Sequence, residues 1–362
     1  MTREQRKLDH IKYALTLGDS QVDAGFNQVS FLPDCLTLVN PELVDLTTKV
    51  AGIPLAKPVF IDAITGGAEA VTEVNRKLAL VAAQTGVAMA VGSQFGTVRH
   101  HLAAESYTVI REVNPDGVVF ANVSALASPE EAKAAVEMLN AAAVEVHLNV
   151  AQELLMPEGD RDFAALPANL KRLQDKLTVP VIIKETGCGM AAEALQKLIG
   201  MGFTCFNLAG AGGTSFTAIE AARSSSERHK RFAGWGLPTV WSILDAAAVC
   251  KQGETIIASG GIRDGFDAAK ALALGADAVS MAGNILAGIS RTSVDETVAA
   301  LNDSVEDVKD ILVLTGARNI NELHQVPLIY HQQVRDFLQS RGYAVNYGSR
   351  RVRAGSLGFQ VP

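Results

Sequence analysis

The hydrophobic and polar positions of the chain follow a regular rhythm from residue 58 onward. Short apolar runs are separated by longer segments in which apolar residues recur at helical spacing. Buried strands that alternate with amphipathic helices are typical of a parallel sheet with crossover helices. The eight apolar runs cover residues 58–63, 87–92, 117–123, 144–150, 180–185, 205–210, 255–261 and 278–283.

The segments between these runs predict the crossover helices. The clearest are residues 74–85, 129–139, 166–177, 191–200, 240–249 and 266–274. Eight strand–helix units over roughly 230 residues match the number and length expected of a TIM barrel. We therefore predict an α/β fold consisting of a single TIM (β/α)8 barrel, with a doubly wound open sheet as the alternative.

The flanks of this rhythm predict two additions to the barrel. Residues 1–57 are polar and then irregular, and we expect them to form an N-terminal extension of a barrel that spans 58–315. A helical pattern at 294–314 would close the barrel. Residues 316–362 would form a C-terminal extension, with one more helix at 320–338 and a loose tail or oligomer arm after it.

Two further segments call for an interpretation. The first residues, REQRKLDHIKYAL, favour a short helix that carries Arg6, Lys7 and His10. Taken alone, this pattern is an ordinary solvated helix face. The crossover at 212–239 is unusually long, and we predict a structureless functional loop or mobile segment on the C-terminal face of the barrel.

Composition narrows the functional classes. The chain has 362 residues, of which 48% are hydrophobic and 20% charged, and its net charge is −7. That charge argues against a general nucleic-acid binder. There is no apolar run of membrane-spanning length and no signal-peptide pattern at the start. The four cysteines lack metal-site spacing, so we expect reduced thiols and a cytoplasmic protein.

The fourth apolar run has an unusual polar face. Its alternation places three apolar residues on one face and His147 and Asn149 on the other. Gln152 and Glu153 follow where the strand should end. A strand that is covered on both faces should be apolar on both, so these four residues indicate either a site or a strand with one wet face.

Polar or glycine-rich residues follow every one of the eight runs, where a barrel builds its active site. After the last strands, glycines at 259–263 and 282–284 would let backbone N–H groups approach an anion. Thr214 and Ser215 could add hydroxyl donors. Since these positions follow strands seven and eight, we expect a bound phosphate there.

Two charged residues have more than one possible role. Lys184 ends an apolar strand and needs a partner or a shifted pKa. It could face an electron-rich ring or carbonyl of a cofactor, or form a Schiff base. Glu153 could hold Mg²⁺ beside a substrate phosphate, or it could be a surface carboxylate.

Together these motifs resemble the type 2 isopentenyl diphosphate isomerases, a family of FMN-dependent barrel enzymes. The resemblance extends from Arg6 to about residue 340, and its most specific parts are HxNxxQE at 147–153 and KExGxG at 184–189. The other matching pieces are RKxxH from Arg6, TGG at 65–67, GSQ at 92–94, ANxS at 121–124, GxGGTSF at 210–216, WGxPT at 235–239 and SGGIR at 259–263.

The resemblance implies an FMN site across the barrel mouth. Thr65, Ser93 and Asn122 would hold the flavin ring, with Lys184 near its pyrimidine side. The full set of FMN contacts that it implies is Ile64, Thr65, Gly66, Ser93, Asn122, Lys184, Thr214, Gly260, Gly261, Arg263, Ala282 and Gly283.

The resemblance also implies how a diphosphate substrate is bound. Arg6 and Lys7 would grip the diphosphate, and Glu153 would bind Mg²⁺. His147, Asn149 and Gln152 would line the substrate. The reaction would be the reversible rearrangement of isopentenyl to dimethylallyl diphosphate. Reduced flavin would act as acid and base with help from Gln152, so no side chain is assigned as catalytic. NADPH or NADH would reduce the flavin, and the family suggests tetramers or octamers.

The chain departs from the family pattern at three places. Ile64 stands where a methionine is usual. Asn207 and Ala209 replace an Asp-x-Ser pattern on the sixth strand, so a flavin hydroxyl contact would be lost. Phe95 replaces an arginine after GSQ, and Arg99 is a candidate substitute.

Other functions would need other residues. A 2-hydroxy-acid oxidase on the same barrel needs a histidine after the sixth strand, where this chain has Asn207-Leu208-Ala209-Gly210. A nucleotide dehydrogenase needs a cysteine after GxG, where Thr214 stands. A phosphate-binding protein without enzymatic activity is the remaining alternative.

Overall fold

A closed barrel of eight parallel strands forms the centre of the protein. The computed structural model describes residues 3–250 and 253–343, and every apolar run predicted as a barrel strand forms one. The TIM barrel prediction is confirmed. The barrel strands are β4 (Val59–Ile61), β5 (Met89–Ala90), β6 (Val119–Ser124), β7 (Ala143–Leu148), β8 (Val181–Glu185), β9 (Cys205–Asn207), β10 (Thr255–Ser259) and β11 (Ala278–Met281).

Helices surround this barrel, and their boundaries follow local signals. For example, α5 begins at Pro129 because Ser128 caps it in a capping box with Glu131. The helices before the eighth strand are α1 (Arg3–Leu17), α2 (Thr72–Thr85), α3 (Phe95–His100), α4 (Glu105–Val113), α5 (Pro129–Leu139), α6 (Val150–Leu155), α7 (Leu166–Lys176), α8 (Ala192–Gly200), α9 (Phe216–Ser224), α10 (Glu227–Lys230), α11 (Thr239–Val249) and α12 (Gly265–Ala273). Those after it are α13 (Gly283–Arg291), α14 (Val294–Leu314), α15 (Ile320–Leu323) and α16 (Gln332–Ser340).

The two ends of the barrel interior differ in chemistry. At the N-terminal end, apolar side chains such as Phe60, Phe120, Ile182 and Ile257 form a separate buried cluster. Phe60 and Phe120 meet edge to face, with ring centroids 5.6 Å apart. The antiparallel hairpin of β2 (Thr48–Val50) and β3 (Ile53–Leu55) adds its own apolar residues to this cluster. Towards the C-terminal end, the interior becomes polar, and this is where the site lies.

The N-terminal segment folds over the C-terminal end of the barrel. Helix α1 packs against α9 and α13, and the Arg291 guanidinium donates to the Leu15 carbonyl at 2.7 Å. The Ser20 N–H donates to the Gly213 carbonyl at 2.7 Å, next to the loop after β9. The residues of α1 are therefore held beside the strand ends.

The prediction of one helix over 320–338 was wrong. Two helices, α15 and α16, flank strand β12 (Leu328–Tyr330), which pairs antiparallel with β1 (Val29–Phe31). Pro327 precedes this strand, and a proline inside a helix removes an N–H donor and clashes with the preceding turn. Because the partner strand lies about 300 residues earlier, the helical periodicity could not reveal the pairing.

The prediction of a structureless crossover at 212–239 was also wrong. This segment contains α9 and α10, and the Ser215 hydroxyl caps α9 by accepting from the Ala218 N–H at 3.2 Å. The predicted tail after Gly342 falls almost entirely outside the described residues. Within the described part of the chain, no helix has the length and apolar character needed to cross a membrane.

Candidate active site at the barrel mouth

A cavity of about 660 Å³ opens at the C-terminal ends of the barrel strands. Almost all of the residues predicted from the sequence line it. These are Arg6, Lys7, Ile64, Thr65, Ser93, Asn122, His147, Asn149, Gln152, Glu153, Lys184, Thr214, Gly260, Gly261, Arg263, Ala282 and Gly283. Gly66 is not in the lining; a Cβ there would lie 2.2 Å from the Tyr107 ring, so close packing accounts for this glycine.

The floor of the cavity is a cluster of buried charges. Lys184 on β8 forms an ion pair with Asp62, which follows β4, at 3.0 Å between Nζ and Oδ2. Both side chains are less than a tenth exposed. Asp62 and the nearby Glu145 raise the pKa of Lys184 despite its burial. Lys184 is therefore a cation held by a carboxylate, a state that does not favour Schiff-base formation.

Glu145 on β7 is fully buried and accepts two amide hydrogen bonds. Its Oε1 accepts from the Asn207 side chain at 2.9 Å, and its Oε2 accepts from the Asn122 side chain at 3.0 Å. Burial raises its pKa to about 7, with the negative charge of Asp62 adding to the effect and Lys184 opposing it. The cluster thus holds two carboxylates and one cation, and Asp62 and Lys184 line the cavity directly.

His147 lies two residues after Glu145, on the same interior face of β7. Its Nδ1 is 2.8 Å from the Asn122 Oδ1. Burial, together with the positive charges of Lys7 and Lys184, lowers the pKa of His147 to about 3. The imidazole is therefore neutral at physiological pH.

A second charged cluster connects α1, α6 and α9 at the side of the cavity. Glu220 on α9 is fully buried, and its Oε1 lies 2.9 Å from the His10 Nε2 and 3.1 Å from the Gln152 Nε2. Arg223 bridges Glu220 and Glu158, with 2.9 Å to the latter. Glu220 therefore holds the helix that carries Arg6 and Lys7 and also orients Gln152.

The loops after β10 and β11 form the end of the cavity expected to hold a phosphate. Arg263 is fixed there by the Asp19 carboxylate at 2.9 Å and by the Gly212 carbonyl at 2.9 Å. Helix α13 begins at Gly283, directly after the eighth strand, and the first N–H groups of a helix have no acceptor within it. Backbone donors and a guanidinium thus converge where two loops meet.

These residues fit an FMN molecule. The Thr65 and Ser280 hydroxyl oxygens are buried and have no hydrogen-bond partner within the described part of the chain, and both residues line the cavity. Buried polar groups are rarely left without partners, so these two oxygens indicate a polar ligand. At Gly283, a Cβ would meet only the Thr214 Oγ1, at 3.8 Å, which leaves space for a phosphate.

Glu153 follows the fourth barrel strand, as predicted, and lies on helix α6. Its Oε1 accepts from the Asn149 side chain at 2.8 Å, and its Oε2 from the Asp160 N–H at 2.9 Å. Among the described residues, no group of three or more His, Cys, Asp or Glu residues could hold a metal ion. The donor set suits Mg²⁺ that takes one carboxylate and completes its shell with substrate oxygens and water.

The departures from the family pattern have visible consequences. Asn207 donates to Glu145 and accepts from the Ser259 hydroxyl at 2.6 Å. Arg99 lines the cavity with Phe95, but its guanidinium is already paired with Glu131 at 2.6 Å and lies 4.1 Å from the Phe95 ring centre.

Four charged residues of the site were not predicted from the sequence. Asp62, Glu145 and Glu220 are each 6% exposed or less, and the Arg223 side chain is 3% exposed. Glu145 could have been predicted, because residues two apart in a strand face the same side, and His147 lies two positions after it. Glu220 and Arg223 could not, because their segment was interpreted as a loop.

The chain is similar to a known family and to known proteins over most of its length. The FMN-dependent dehydrogenase family matches residues 115–329. The isopentenyl-diphosphate delta-isomerase of Symbiobacterium thermophilum is 41% identical over 348 residues, which cover 94% of this chain and 96% of that protein. The isopentenyl-diphosphate delta-isomerase of Staphylococcus haemolyticus is 37% identical over 346 residues, which cover 96% of this chain and 99% of that protein.

Solved structures show the same fold at low sequence identity. A lactate oxidase from Pediococcus acidilactici matches with a TM-score of 0.67 and 17% identity, covering 91% of this chain and 93% of that one. A mandelate oxidase matches with a TM-score of 0.64 and 18% identity, covering 91% and 97%. The near full-length relatives establish more than this fold: the chain belongs to the family of type 2, FMN-dependent isopentenyl-diphosphate delta-isomerases.

Proposed function

We propose that the protein catalyses the reversible 1,3-allylic rearrangement of isopentenyl diphosphate to dimethylallyl diphosphate with reduced FMN, NADPH or NADH, and Mg²⁺. One observation carries the proposal. A single cavity has a glycine-rich phosphate end, a buried polar floor and a pair of cations at its mouth. A flavin nucleotide and a second anionic ligand can therefore bind in the same space.

The diphosphate would be bound at the side of the cavity nearest α1. Arg6 and Lys7 line this side, and charge-assisted hydrogen bonds to phosphate are stronger than neutral ones. Arg6 is only loosely paired, since its guanidinium lies 3.8 Å from the half-exposed Glu158 carboxylate. Glu153 would hold Mg²⁺ against the phosphate oxygens, which reduces the charge that the two cations must balance.

The rearrangement adds a proton at the terminal carbon and removes a second proton from the carbon two positions away. There is no net redox change. FMN, when bound in the reduced state, supplies the group that gives and takes these protons. The chain positions the reactants. Gln152 is held by Glu220 at 3.1 Å and would orient the allylic unit, while His147 and Asn149 line the same region.

The proposal also covers the reductant, the compartment and the assembly. The nicotinamide nucleotide would reduce the flavin before turnover. The four cysteines, all in the described part of the chain, form no disulfide, which suits a reducing compartment such as the cytoplasm. A homo-oligomer, a tetramer or an octamer, is proposed from the family resemblance.

The direct test is an anaerobic assay in D₂O. The purified protein with FMN, NADPH and Mg²⁺ should interconvert the two diphosphates, with deuterium appearing in the product by NMR. Substituting both Arg6 and Lys7 with methionine should raise KM for the diphosphate and leave FMN binding intact. No conversion under these conditions, with FMN bound and reduced, would refute the assignment.

Hydroxy-acid oxidation is the competing activity, because the solved structures with this fold include a lactate oxidase. The chain has Asn207-Leu208-Ala209-Gly210 after the strand where that activity requires a histidine. Oxygen consumption with lactate would support oxidation and contradict the isomerase.

A further inference from the structure

The hydrogen bonds of the buried floor have a fixed direction. An ionised carboxylate can only accept hydrogen bonds, and each oxygen of Glu145 faces a different asparagine. Both asparagines must therefore turn their NH₂ groups towards Glu145. Their carbonyl oxygens then point away from it, Asn207 towards Ser259 and Asn122 towards His147.

Asn207 is held in this orientation from two further sides. Its carbonyl oxygen accepts from the Ser259 hydroxyl at 2.6 Å, and its NH₂ group lies 3.4 Å from the Asp62 carboxylate, which also only accepts. Asn122 contacts only one carboxylate. Among the described hydrogen bonds, its side chain bonds to Glu145 through the NH₂ group and to His147 through the carbonyl oxygen. Of the two amides, Asn122 is thus the one whose orientation depends on Glu145.

The orientation of Asn122 determines where the proton of His147 lies. The Asn122 Oδ1 is an acceptor 2.8 Å from the His147 Nδ1, so Nδ1 must carry the proton. We propose that Glu145 is a positioning residue that acts through Asn122 to hold His147 in the Nδ1–H tautomer, which leaves Nε2 to face the cavity as a hydrogen-bond acceptor.

This assignment changes what His147 can recognise. A neutral imidazole with an unprotonated Nε2 cannot donate to a phosphate oxygen, so His147 is no part of the positive charge that binds the diphosphate. It accepts instead from a donor, such as the Lys7 ammonium, a protonated phosphate oxygen or a water molecule. Lys7 suits this role because its charge is among the causes that keep the pKa of His147 low.

The same geometry predicts a tautomer change when Glu145 is protonated. A neutral carboxyl must donate one hydrogen bond, so one amide has to turn its carbonyl towards it, and Asn122 is the freer of the two. The charged or titratable groups around Glu145 are Asp62 on one side, Lys184 on β8 and the Cys205 thiol on β9. With Asn122 turned, the His147 Nδ1 becomes the acceptor and Nε2 carries the proton.

The test is ¹⁵N solid-state NMR of protein labelled on histidine, with FMN bound and no substrate. The chain has seven histidines, so the His147 signals are identified by their loss in His147→Asn. The wild-type protein at pH 8.5 should show Nδ1 protonated. Glu145→Gln replaces one acceptor oxygen by an NH₂ group, so the Nε2–H tautomer should replace Nδ1–H as the major form.

Glu185→Gln is the matched control. Glu185 is a partly buried carboxylate whose pKa is also raised to about 7, but its Oε2 accepts from the Thr186 and Cys188 N–H groups, and no described hydrogen bond joins it to Asn122. This variant should keep the wild-type tautomer. An Nε2–H form in the wild-type protein at pH 8.5, or an unchanged tautomer in Glu145→Gln, would overturn the proposal.

A pH titration of the wild-type protein gives a second measurement that needs no variant. The tautomer should change as the ¹³C carboxyl signal of Glu145 titrates, while His147 stays neutral. A Glu145 titration without a change at His147 would also overturn the proposal. The inference rests on the proposed function only for the identity of the ligand in the cavity. Neither tautomer measurement requires turnover. If the tautomers behave as expected but the protein does not isomerise the diphosphates, only the isomerase assignment is refuted.

Discussion

Replacing Lys184 with methionine should destabilise the protein in a pH-dependent manner. The side chain supplies the cation for two buried carboxylates, Asp62 at 3.0 Å and Glu145 beside it. Two unit charges at this distance attract by about 5.5 kcal/mol at an effective dielectric constant of about 20. Removing one partner of a buried ion pair typically costs about 3–5 kcal/mol, because the other charge is left uncompensated. We expect a loss in this range at pH 8.5.

The sign of the pH dependence follows from linkage. The folded-state pKa of Glu145 is raised from 4.5 to about 7, so the folded protein binds more protons than the unfolded chain in this window. The contribution of Glu145 to the stability of the wild-type protein therefore falls as pH rises from 4.5 to 7. Without Lys184, the pKa of Glu145 rises further, so the free energy of unfolding should continue to fall above pH 7. For one proton, the slope is at most about 1.4 kcal/mol per pH unit.

The assay is urea unfolding of FMN-free protein, followed by the fluorescence of its two tryptophans, at pH 5.5 and 8.5. Lys184→Met should lose much less stability at pH 5.5 than at pH 8.5, because the Glu145 carboxyl can be neutral at the lower pH. The double variant with Asp62→Asn, which removes the paired carboxylate as well, should regain part of the loss. A cost below about 1 kcal/mol, or one that is equal at both pH values, would refute this account of the floor.

Three further predictions concern ligands. Gly283→Val should fold normally, since a Cβ there meets only the Thr214 Oγ1 at 3.8 Å, but should weaken FMN binding at least about tenfold by calorimetry; unchanged affinity would place the phosphate elsewhere. Glu153→Gln should raise the Mg²⁺ concentration needed for half-maximal activity without altering FMN affinity, and an unaltered Mg²⁺ requirement would exclude this carboxylate as a ligand. Glu220→Gln should raise KM for the diphosphate more than it lowers kcat, because the hold on His10 and α1 is weakened; a kcat effect alone would contradict this reason.

The barrel was predictable because its strands have a strong local signal. Each is a short, mostly apolar and mostly buried run, with a glycine or a polar residue at its end or within a few positions after it. The helix at Pro129–Leu139 was predicted to the residue, since Ser128, Pro129 and Glu131 form a complete local start signal. Local sequence determines these elements, so reading the chain residue by residue suffices.

The errors arose where distant residues decide the structure. Leu328–Tyr330 becomes a strand because Val29–Phe31 offers it a partner, and no periodicity within 320–338 contains that information. Similarly, the crossover at 212–239 contains glycines and a run of serines that favour a loop. Helix α9 forms there because it packs against α1 and α6 around the Glu220 side chain.

The buried carboxylates of the site show why residue types alone were insufficient. His147 and Asn149 stand out in an apolar strand, and both line the cavity at the barrel mouth. Glu145 faces the same side of the strand as these two residues, yet a glutamate near the start of a strand is usually interpreted as facing solvent. Its partners come from two other strands: Asn122 lies opposite Glu145 in the parallel register of β6 and β7, and the Asn207 side chain reaches it from β9. Because the carboxylate can only accept, this tertiary arrangement, more than the motif around His147, determines which hydrogen bond the histidine can offer a ligand.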